Sequence, residues 1–141
     1  MTSGSQFHII YEYFLYDGRT HVSVATLPGM AERTITIGGY SKTFSITGWR
    51  IGYSVAAAKW AQAIGAMNDL LYVCAPTPLQ AGVAVGIQEL PSSFYRNMAQ
   101  DFQRKRDRFC DALTKAGLIP SIPQGAYYVF ADASLLPGTT G

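Results

Sequence analysis

Two short apolar segments separated by a polar loop constrain the fold of this 141-residue chain more than any other feature. The segments RTITIGG, residues 33–39, and RIGYSVA, residues 50–56, have the composition of short buried strands. The loop between them carries a lone lysine, Lys42, and the second segment opens with Arg50. In α/β sheets, ligand sites gather just beyond glycine-rich strand ends. The sequence therefore predicts a ligand site in this loop.

The other segments predict further strands and helices, and together they favour an α/β fold. FHIIYEYFLY, residues 7–16, is typical of a strand that runs into a loop, and QGAYYVFAD, residues 124–132, of a last strand. Apolar side chains recur at helical spacing over residues 57–72, which predicts an amphipathic helix there. A second helix is predicted to start near Thr77 and a third at Ser92 or Ser93.

Local signals predict how the second and third helices begin and end. Thr77 is a candidate N-cap, with Pro78 at the first helical position and Gln80 completing a capping box. The second helix is apolar all round, so we expect it to be buried. Gly117 is suited to ending the third helix. The RKRDR run, residues 104–108, is interpreted as a solvated helix face because aspartates are interleaved with it.

Composition excludes several classes of protein. Almost half of the residues are apolar and few are charged, which excludes a disordered tail. A net charge of only +2 argues against nucleic acid or a membrane surface as a partner, and no apolar run is long enough to span a bilayer. Cys74 and Cys110 have no metal-like spacing and are interpreted as reduced packing cysteines of a cytoplasmic protein.

The residues of the loop suit a ligand that carries both a phosphate and a carbonyl group. A partly desolvated lysine amine can form a Schiff base, and an arginine offers a rigid charged fork for phosphate. The alternative of a nucleotide-binding P-loop is excluded because that motif requires glycine immediately before the lysine, where Ser41 stands.

At this point the sequence resembles a known family. YSKTFSITGWRIGY, residues 40–53, is similar to the lysine signature of the fold-type I, pyridoxal-phosphate-dependent aminotransferases of class I/II. The eight-residue separation of Lys42 and Arg50, and the aromatic Tyr40 before the lysine, carry the resemblance. Further segments look like this family in the expected order: YEYFLYDG, ATLPGMAERTITIGG, CAPTPLQ and PQGAYYVFAD.

The resemblance implies a fold, a cofactor and a reaction. The fold would be a three-layer α/β large domain with a mixed, mostly parallel sheet, followed by the beginning of an α+β small domain. Residues 1–122 would be the C-terminal part of the cofactor-binding large domain, with 1–7 as a tag remnant or frayed end, and residues 123–141 the start of the small domain. The reaction would pass an amino group from an amino acid to a 2-oxo acid, with pyridoxal 5'-phosphate as carrier.

The resemblance also implies roles for four residues. Lys42 would hold the cofactor as a Schiff base and then move the substrate's Cα proton. Arg50 would bind the cofactor phosphate, with Ser41 as the nearest hydroxyl. Tyr11 resembles the tyrosine whose hydroxyl bonds the cofactor's ring oxygen.

Two positions depart from the family pattern. His8 stands where the family has an aspartate that pairs with the cofactor's ring nitrogen, and Gly39 where it often has a phosphate-contacting serine. Family members are also at least about twice as long, so the chain is expected to be a fragment that needs a second copy of itself or a complementary N-terminal chain. Two alternatives stay open: a pyridoxal-phosphate-dependent carbon–sulfur lyase of the same fold, and a non-catalytic remnant that acts only as a folded interaction piece.

Overall fold

The computed structural model describes residues 5–138, which contain five strands and three α-helices. In chain order they are β1 (Ser5–Ile9), β2 (Thr34–Gly39), β3 (Gly52–Val55), α1 (Ala58–Leu71), α2 (Thr77–Glu89), α3 (Ser92–Lys115), β4 (Ile119–Ser121) and β5 (Phe130–Asp132). The chain divides into two compact units. The first contains the described residues up to Ile10 together with Val22–Pro91, and the second contains Tyr11–His21 with the described residues from Ser92 onward.

The first unit is built on a three-stranded sheet in the order β1-β2-β3. β1 pairs with β2 in parallel, and β2 pairs with β3 antiparallel, so the sheet is mixed. With α1 and α2 in the same unit, this confirms the predicted α/β class. Ser5, Gln6 and Phe7 belong to β1 and pair with β2, whereas we expected residues 1–7 to be a tag remnant or a frayed end. Residues 1–4 lie outside the described part.

A glycine is required at the end of β2 because an aromatic ring occupies the space of its side chain. Gly38 pairs with Tyr53 across the antiparallel ladder. A Cβ atom on Gly38 would overlap the Tyr53 ring, far inside van der Waals contact. The absence of a side chain on Gly38 thus lets the Tyr53 ring pack against β2, immediately before the loop that carries Lys42.

The predicted cap and burial of α2 are both wrong. Pro76 is the N-cap and Thr77 is already helical, while the Gln80 side chain donates to the carbonyl of Ala75 at 2.7 Å. A capping box requires a threonine outside the helix, so this one cannot form. Of the described α2 side chains only Val83 is buried, and large apolar ones such as Val85 remain exposed.

The second unit pairs the long helix α3 with a short hairpin. Gly117 has a φ of +86° and ends α3 as predicted, since its N–H donates to Thr114 O and that of Leu118 donates to Leu113 O. β4 and β5 pair antiparallel. β5 is shorter than the strand predicted over residues 124–132, and its partner β4 is a strand that the sequence did not suggest.

Two interpretations of single residues need correction. The interpretation of Arg106 as part of a solvated helix face is wrong, because only 9% of the residue is exposed. Its neighbours Arg104 and Lys105 are solvated as predicted. Cys110 is buried as expected, but Cys74 is exposed and so is not the packing cysteine that we predicted; both are free thiols. The first compact unit ends at Pro91, and the second also includes Tyr11–His21. The predicted domain boundary after residue 122 concerns the domains of a longer chain and stays a prediction. None of the helices within residues 5–138 is long and apolar enough to cross a bilayer.

Candidate functional site

The loop that carries Lys42 is closed by backbone hydrogen bonds on both sides. At its start, Tyr40 N donates to Ile51 O at 3.2 Å, which extends the pairing of β2 and β3 by one step. Phe44 N donates to Tyr40 O at 3.1 Å, and Ser45 N donates to Lys42 O at 3.2 Å. Lys42 therefore lies in a tight turn directly after β2, and its side chain is half-buried.

Two aromatic side chains anchor this loop on α2. The Phe44 ring lies against Gly86 and the Trp49 ring against Gly82, and these glycines are one helical turn apart. A Cβ atom at Gly82 would come within 2.9 Å of the Trp49 ring, so a side chain there would push the ring away. The two glycines of α2 let the rings of Phe44 and Trp49 reach the helix backbone. Phe44 therefore anchors the middle of the loop and Trp49 anchors its end.

Thr47 links the polar groups of the loop. Lys42 Nζ donates to Thr47 Oγ1 at 3.4 Å, and Thr47 Oγ1 donates to Ser41 O at 3.1 Å. Arg50 Nη1 donates to the backbone carbonyl of Thr47 at 3.2 Å. Sequence reasoning did not assign Thr47 to the site, although the hydroxyl residues around the lysine were a signal for it.

Arg50 has an uncommon backbone conformation and spare hydrogen-bonding capacity. Its φ of +57° is left-handed, and it ends the short 3-10 turn Thr47–Trp49. Within the described residues its exposed guanidinium makes one hydrogen bond, to Thr47, and a guanidinium has five N–H donors. The remaining donors can bind an anion in the bidentate geometry that phosphate favours.

Tyr11, the fourth predicted site residue, lies in the second unit. Its hydroxyl forms a 2.8 Å hydrogen bond with the Tyr128 hydroxyl, and its ring makes edge contacts with Phe14, Tyr127 and Tyr128. Burial, with hydrogen bonds to Tyr127 and Tyr128, raises the pKa of Tyr11 well above its ordinary value. The phenol therefore stays protonated at neutral pH, as a hydrogen-bond donor must.

The structure thus brings three of the four predicted residues into one loop. Ser41, Lys42 and Arg50 lie within ten residues of each other in the first unit, and Tyr11 belongs to the second. The Ser41 hydroxyl makes no hydrogen bond within residues 5–138, while its carbonyl accepts from Thr47. His8, at the position of the expected aspartate, is exposed on β1, 3.4 Å from the Gln6 side chain. The described residues contain no group of three or more His, Cys, Asp or Glu placed to hold a metal ion.

The Lys42 amine and the Arg50 guanidinium thus meet at one threonine, just beyond the end of β2 in a mixed sheet. The sequence model of the family "Aminotransferase class I and II" matches residues 7–136. The chain belongs to this family, whose members depend on pyridoxal phosphate.

Curated relatives and solved structures agree with this membership. The chain is 42% identical to kynurenine–oxoglutarate transaminase of Dictyostelium discoideum over 127 residues, and 42% identical to kynurenine–oxoglutarate transaminase 3 of Mus musculus over 134 residues. It is 29% identical to N-succinyldiaminopimelate aminotransferase from Mycobacterium tuberculosis, with a TM-score of 0.88, and 32% identical to an aromatic aminotransferase from Pyrococcus horikoshii, with a TM-score of 0.81.

The chain spans only part of each of these proteins. The matches cover 89% and 90% of this chain but 29% of the Dictyostelium and mouse enzymes. They cover 92% and 89% of this chain but 34% of the Mycobacterium and Pyrococcus structures. The described fold is therefore about a third of the fold that these structures contain.

Proposed function

We propose that the chain is a segment of a pyridoxal-phosphate-dependent aminotransferase that passes an amino group from an amino acid to a 2-oxo acid. The observation that carries the proposal is the joint placement of the Lys42 amine and the Arg50 guanidinium on Thr47. The names of the matched relatives suggest the first substrates to assay, kynurenine as the amino donor and 2-oxoglutarate as the acceptor.

The residues of the loop fit the cofactor. Lys42 is half-buried and its amine donates to Thr47, so the amine is held in place yet still reachable. Arg50 has spare N–H donors for a phosphate, and the Ser41 hydroxyl makes no hydrogen bond within residues 5–138. The loop thus offers an amine for the cofactor's aldehyde. It also offers a cationic donor and a hydroxyl donor for the cofactor's phosphate.

We assign the roles as follows. Lys42 is the covalent anchor and carries the proton to and from the substrate's Cα. Arg50 binds the phosphate and Ser41 supplies a hydroxyl to it, while the protonated Tyr11 phenol donates to the ring oxygen. When bound, pyridoxal phosphate supplies an electron-withdrawing ring that accepts electron density as the Cα proton leaves.

We also propose that the chain works in an assembly, as a homodimer or with a complementary N-terminal chain, in the cytoplasm. Large apolar side chains of α1 and α2 support the assembly, because they are exposed in a chain that spans 29% of its curated relatives. They are Trp60, Met67, Leu70, Leu71, Val85 and Ile87. Light scattering of the pure chain, with and without a polypeptide that carries the N-terminal part of a relative, tests this proposal.

Reductive trapping tests the proposed function. The chain is incubated with pyridoxal phosphate, reduced with borohydride, digested and mapped by mass spectrometry. We expect the label on Lys42 in the parent chain, its loss in Lys42→Ala, and no change in Lys59→Ala. Label spread evenly over Lys59, Lys105 and Lys115, with none on Lys42, contradicts the proposal.

Reductive trapping combined with product analysis of the assembled protein separates the alternatives. A trapped cofactor with formation of glutamate from 2-oxoglutarate in the assembled protein supports transamination. Release of a thiol, ammonia and a 2-oxo acid from a cysteine S-conjugate, without glutamate, supports the lyase alternative. An assembled protein that binds no cofactor supports the non-catalytic remnant.

A further inference from the structure

Thr47 makes three hydrogen bonds, and all three of its partners, Ser41, Lys42 and Arg50, have a proposed role in cofactor binding. Its side-chain oxygen contacts Lys42 Nζ at 3.4 Å and Ser41 O at 3.1 Å. Its backbone carbonyl accepts from Arg50 Nη1 at 3.2 Å. The two cationic groups of the loop are thus attached to the same residue, one through the side chain and the other through the main chain.

The direction of each bond on the Thr47 hydroxyl is fixed by hydrogen counting. A hydroxyl has one hydrogen to donate and two lone pairs that accept. A carbonyl oxygen such as Ser41 O can only accept, so the hydrogen of Thr47 is committed to it. The lone pairs remain for Lys42, whose amine must be the donor. The Thr47 hydroxyl therefore has a defined orientation.

The backbone gives Thr47 little freedom to move. Thr47 starts the 3-10 turn Thr47–Trp49, and Arg50 ends it in the left-handed conformation. The Trp49 ring is held against Gly82 of α2. Because the Arg50 side chain folds back on the first residue of the same turn, a shift of Thr47 would move both cationic groups.

We propose that Thr47 is a positioning residue that sets the separation of the Lys42 amine and the Arg50 guanidinium, so that one ligand carrying an aldehyde and a phosphate meets both. This inference rests on the proposed function, which supplies the ligand class. Thr47 touches neither reacting atom in this role. Its hydroxyl orients the Lys42 amine, and its carbonyl orients the Arg50 guanidinium.

The test compares three substitutions in the same loop. Thr47→Val removes the hydroxyl and keeps the shape, and Thr47→Ser keeps the hydroxyl. Thr43→Val is the matched control, because the buried Thr43 hydroxyl has no hydrogen-bond partner among the described residues. Each variant is treated with subsaturating pyridoxal phosphate and borohydride, and the label on Lys42 is measured by peptide mapping. A second arm uses trace acetic anhydride, without cofactor, and measures acetylation of Lys42 relative to Lys59.

We expect Thr47→Val to lower Lys42 trapping about three- to tenfold, the effect of one lost hydrogen bond. Its Lys42 acetylation should rise, because the amine is no longer held. Thr47→Ser should restore both values to within about twofold of the parent, and Thr43→Val should leave both unchanged.

Two results overturn the positioning role. One is unchanged Lys42 acetylation in Thr47→Val, and the other is an equal loss of trapping in Thr43→Val, which would indicate general damage to the loop. A parent chain that takes no label on Lys42 overturns the proposed function instead. The acetylation arm still decides in that case whether Thr47 holds the amine.

Discussion

Arg106 binds Asp17 through both ends of its guanidinium, with Nη1 2.7 Å from Oδ2 and Nη2 3.0 Å from Oδ1. Nη1 also donates to Pro123 O at 3.0 Å, and the guanidinium lies over the Tyr16 ring. One side chain of α3 thereby joins the segment that contains Tyr11 to the segment that leads to Tyr128. The ion pair is therefore part of what holds the Tyr11–Tyr128 hydrogen bond in place.

Replacing Asp17 by Asn should lower the midpoint of thermal unfolding by several degrees at neutral pH. Asn tolerates the left-handed φ of +58° at this position, so the substitution removes charge without straining the backbone. The Arg106 guanidinium lowers the pKa of Asp17. A carboxylate with a lowered pKa stabilises the fold above its unfolded pKa, and the stabilisation is lost as the pH falls through the folded pKa.

Thermal unfolding of both proteins from pH 7 to pH 2 checks this prediction. The difference between them should be constant down to about pH 4, the ordinary range of an aspartate, and should shrink below it. Asp101→Asn is the control, because Asp101 pairs with Lys105 and Arg104 on an exposed helix face, where solvent screens both ion pairs and the contribution should be small. A difference that persists unchanged at pH 2 would mean that the ion pair is not its cause.

The sequence predicted the sheet and the site loop because both depend on local signals. β-branched runs bounded by glycines define β2 and β3 to within two residues. Lys42 and Arg50 both contact Thr47, while the shared ligand inferred from their amine and guanidinium stays a prediction. The strand-forming segments and the length of the loop between them are local properties of the sequence. They can therefore be predicted without knowing the rest of the fold.

Several of the errors concern contacts between residues distant in sequence. Arg106 is part of a charged run, and only the packing of Tyr16 and Asp17 against α3 buries it. β4 contains a proline and gave no strand signal, and it forms because β5 pairs with it. The apolar surface of α2 predicted burial, but what would cover it is not among the described residues.

Thr43→Val should stabilise the chain. The Thr43 hydroxyl is buried, with 2% of the residue exposed, and has no hydrogen-bond partner among the described residues. Removing a buried unsatisfied polar group while keeping the side-chain shape recovers part of a desolvation cost of about 1–3 kcal/mol. Chemical denaturation should show a higher midpoint with an unchanged slope. A lower midpoint would show that the hydroxyl has a partner in solution, and Thr47→Val, which loses two hydrogen bonds, should shift the opposite way.

Gly39→Ser should strengthen phosphate binding without disturbing the fold. A Cβ atom at Gly39 would lie 3.7 Å from Ile51 O, an ordinary contact, and the resemblance places a phosphate-contacting serine at this position. One added hydrogen bond to a phosphate should lower the dissociation constant for pyridoxal phosphate by up to about tenfold. Gly38→Ser is the contrasting control, because its side chain would meet the Tyr53 ring and should destabilise the sheet. A folded Gly39→Ser chain with the affinity of the parent argues against a phosphate at this strand end.

Substitutions of Arg50 should separate stability from affinity. Arg50→Gly and Arg50→Ala both remove the guanidinium and should weaken phosphate binding about ten- to a hundredfold. Glycine also relieves the left-handed backbone, so Arg50→Gly should be more stable than Arg50→Ala by about 1 kcal/mol. Arg50→Lys keeps the charge without the fork and should bind with intermediate affinity. Titration of each variant with pyridoxal phosphate, beside denaturant unfolding, gives both quantities. Equal affinity in all four proteins would refute the phosphate role.

The pure 141-residue chain should transaminate kynurenine and 2-oxoglutarate far more slowly than the usual enzyme range of about 1–10³ per second. In the described sheet β1 and β3 each have one unpaired edge, and such edges favour association with another chain. His8 cannot supply the negative charge that keeps the cofactor's ring nitrogen protonated, and each contact missing from the other two thirds of the fold costs about 1–3 kcal/mol.

Each loss of orientation lowers the transamination rate by a factor, and these factors multiply. Several losses together therefore reduce the rate by many orders of magnitude. A coupled assay for glutamate, on protein whose mass and purity are verified, measures this rate. The matched control is the same chain mixed with a polypeptide that carries the N-terminal part of a relative, where activity should rise if the two halves assemble. Turnover within the usual range by the chain alone would show that these 141 residues already hold every group that the reaction needs.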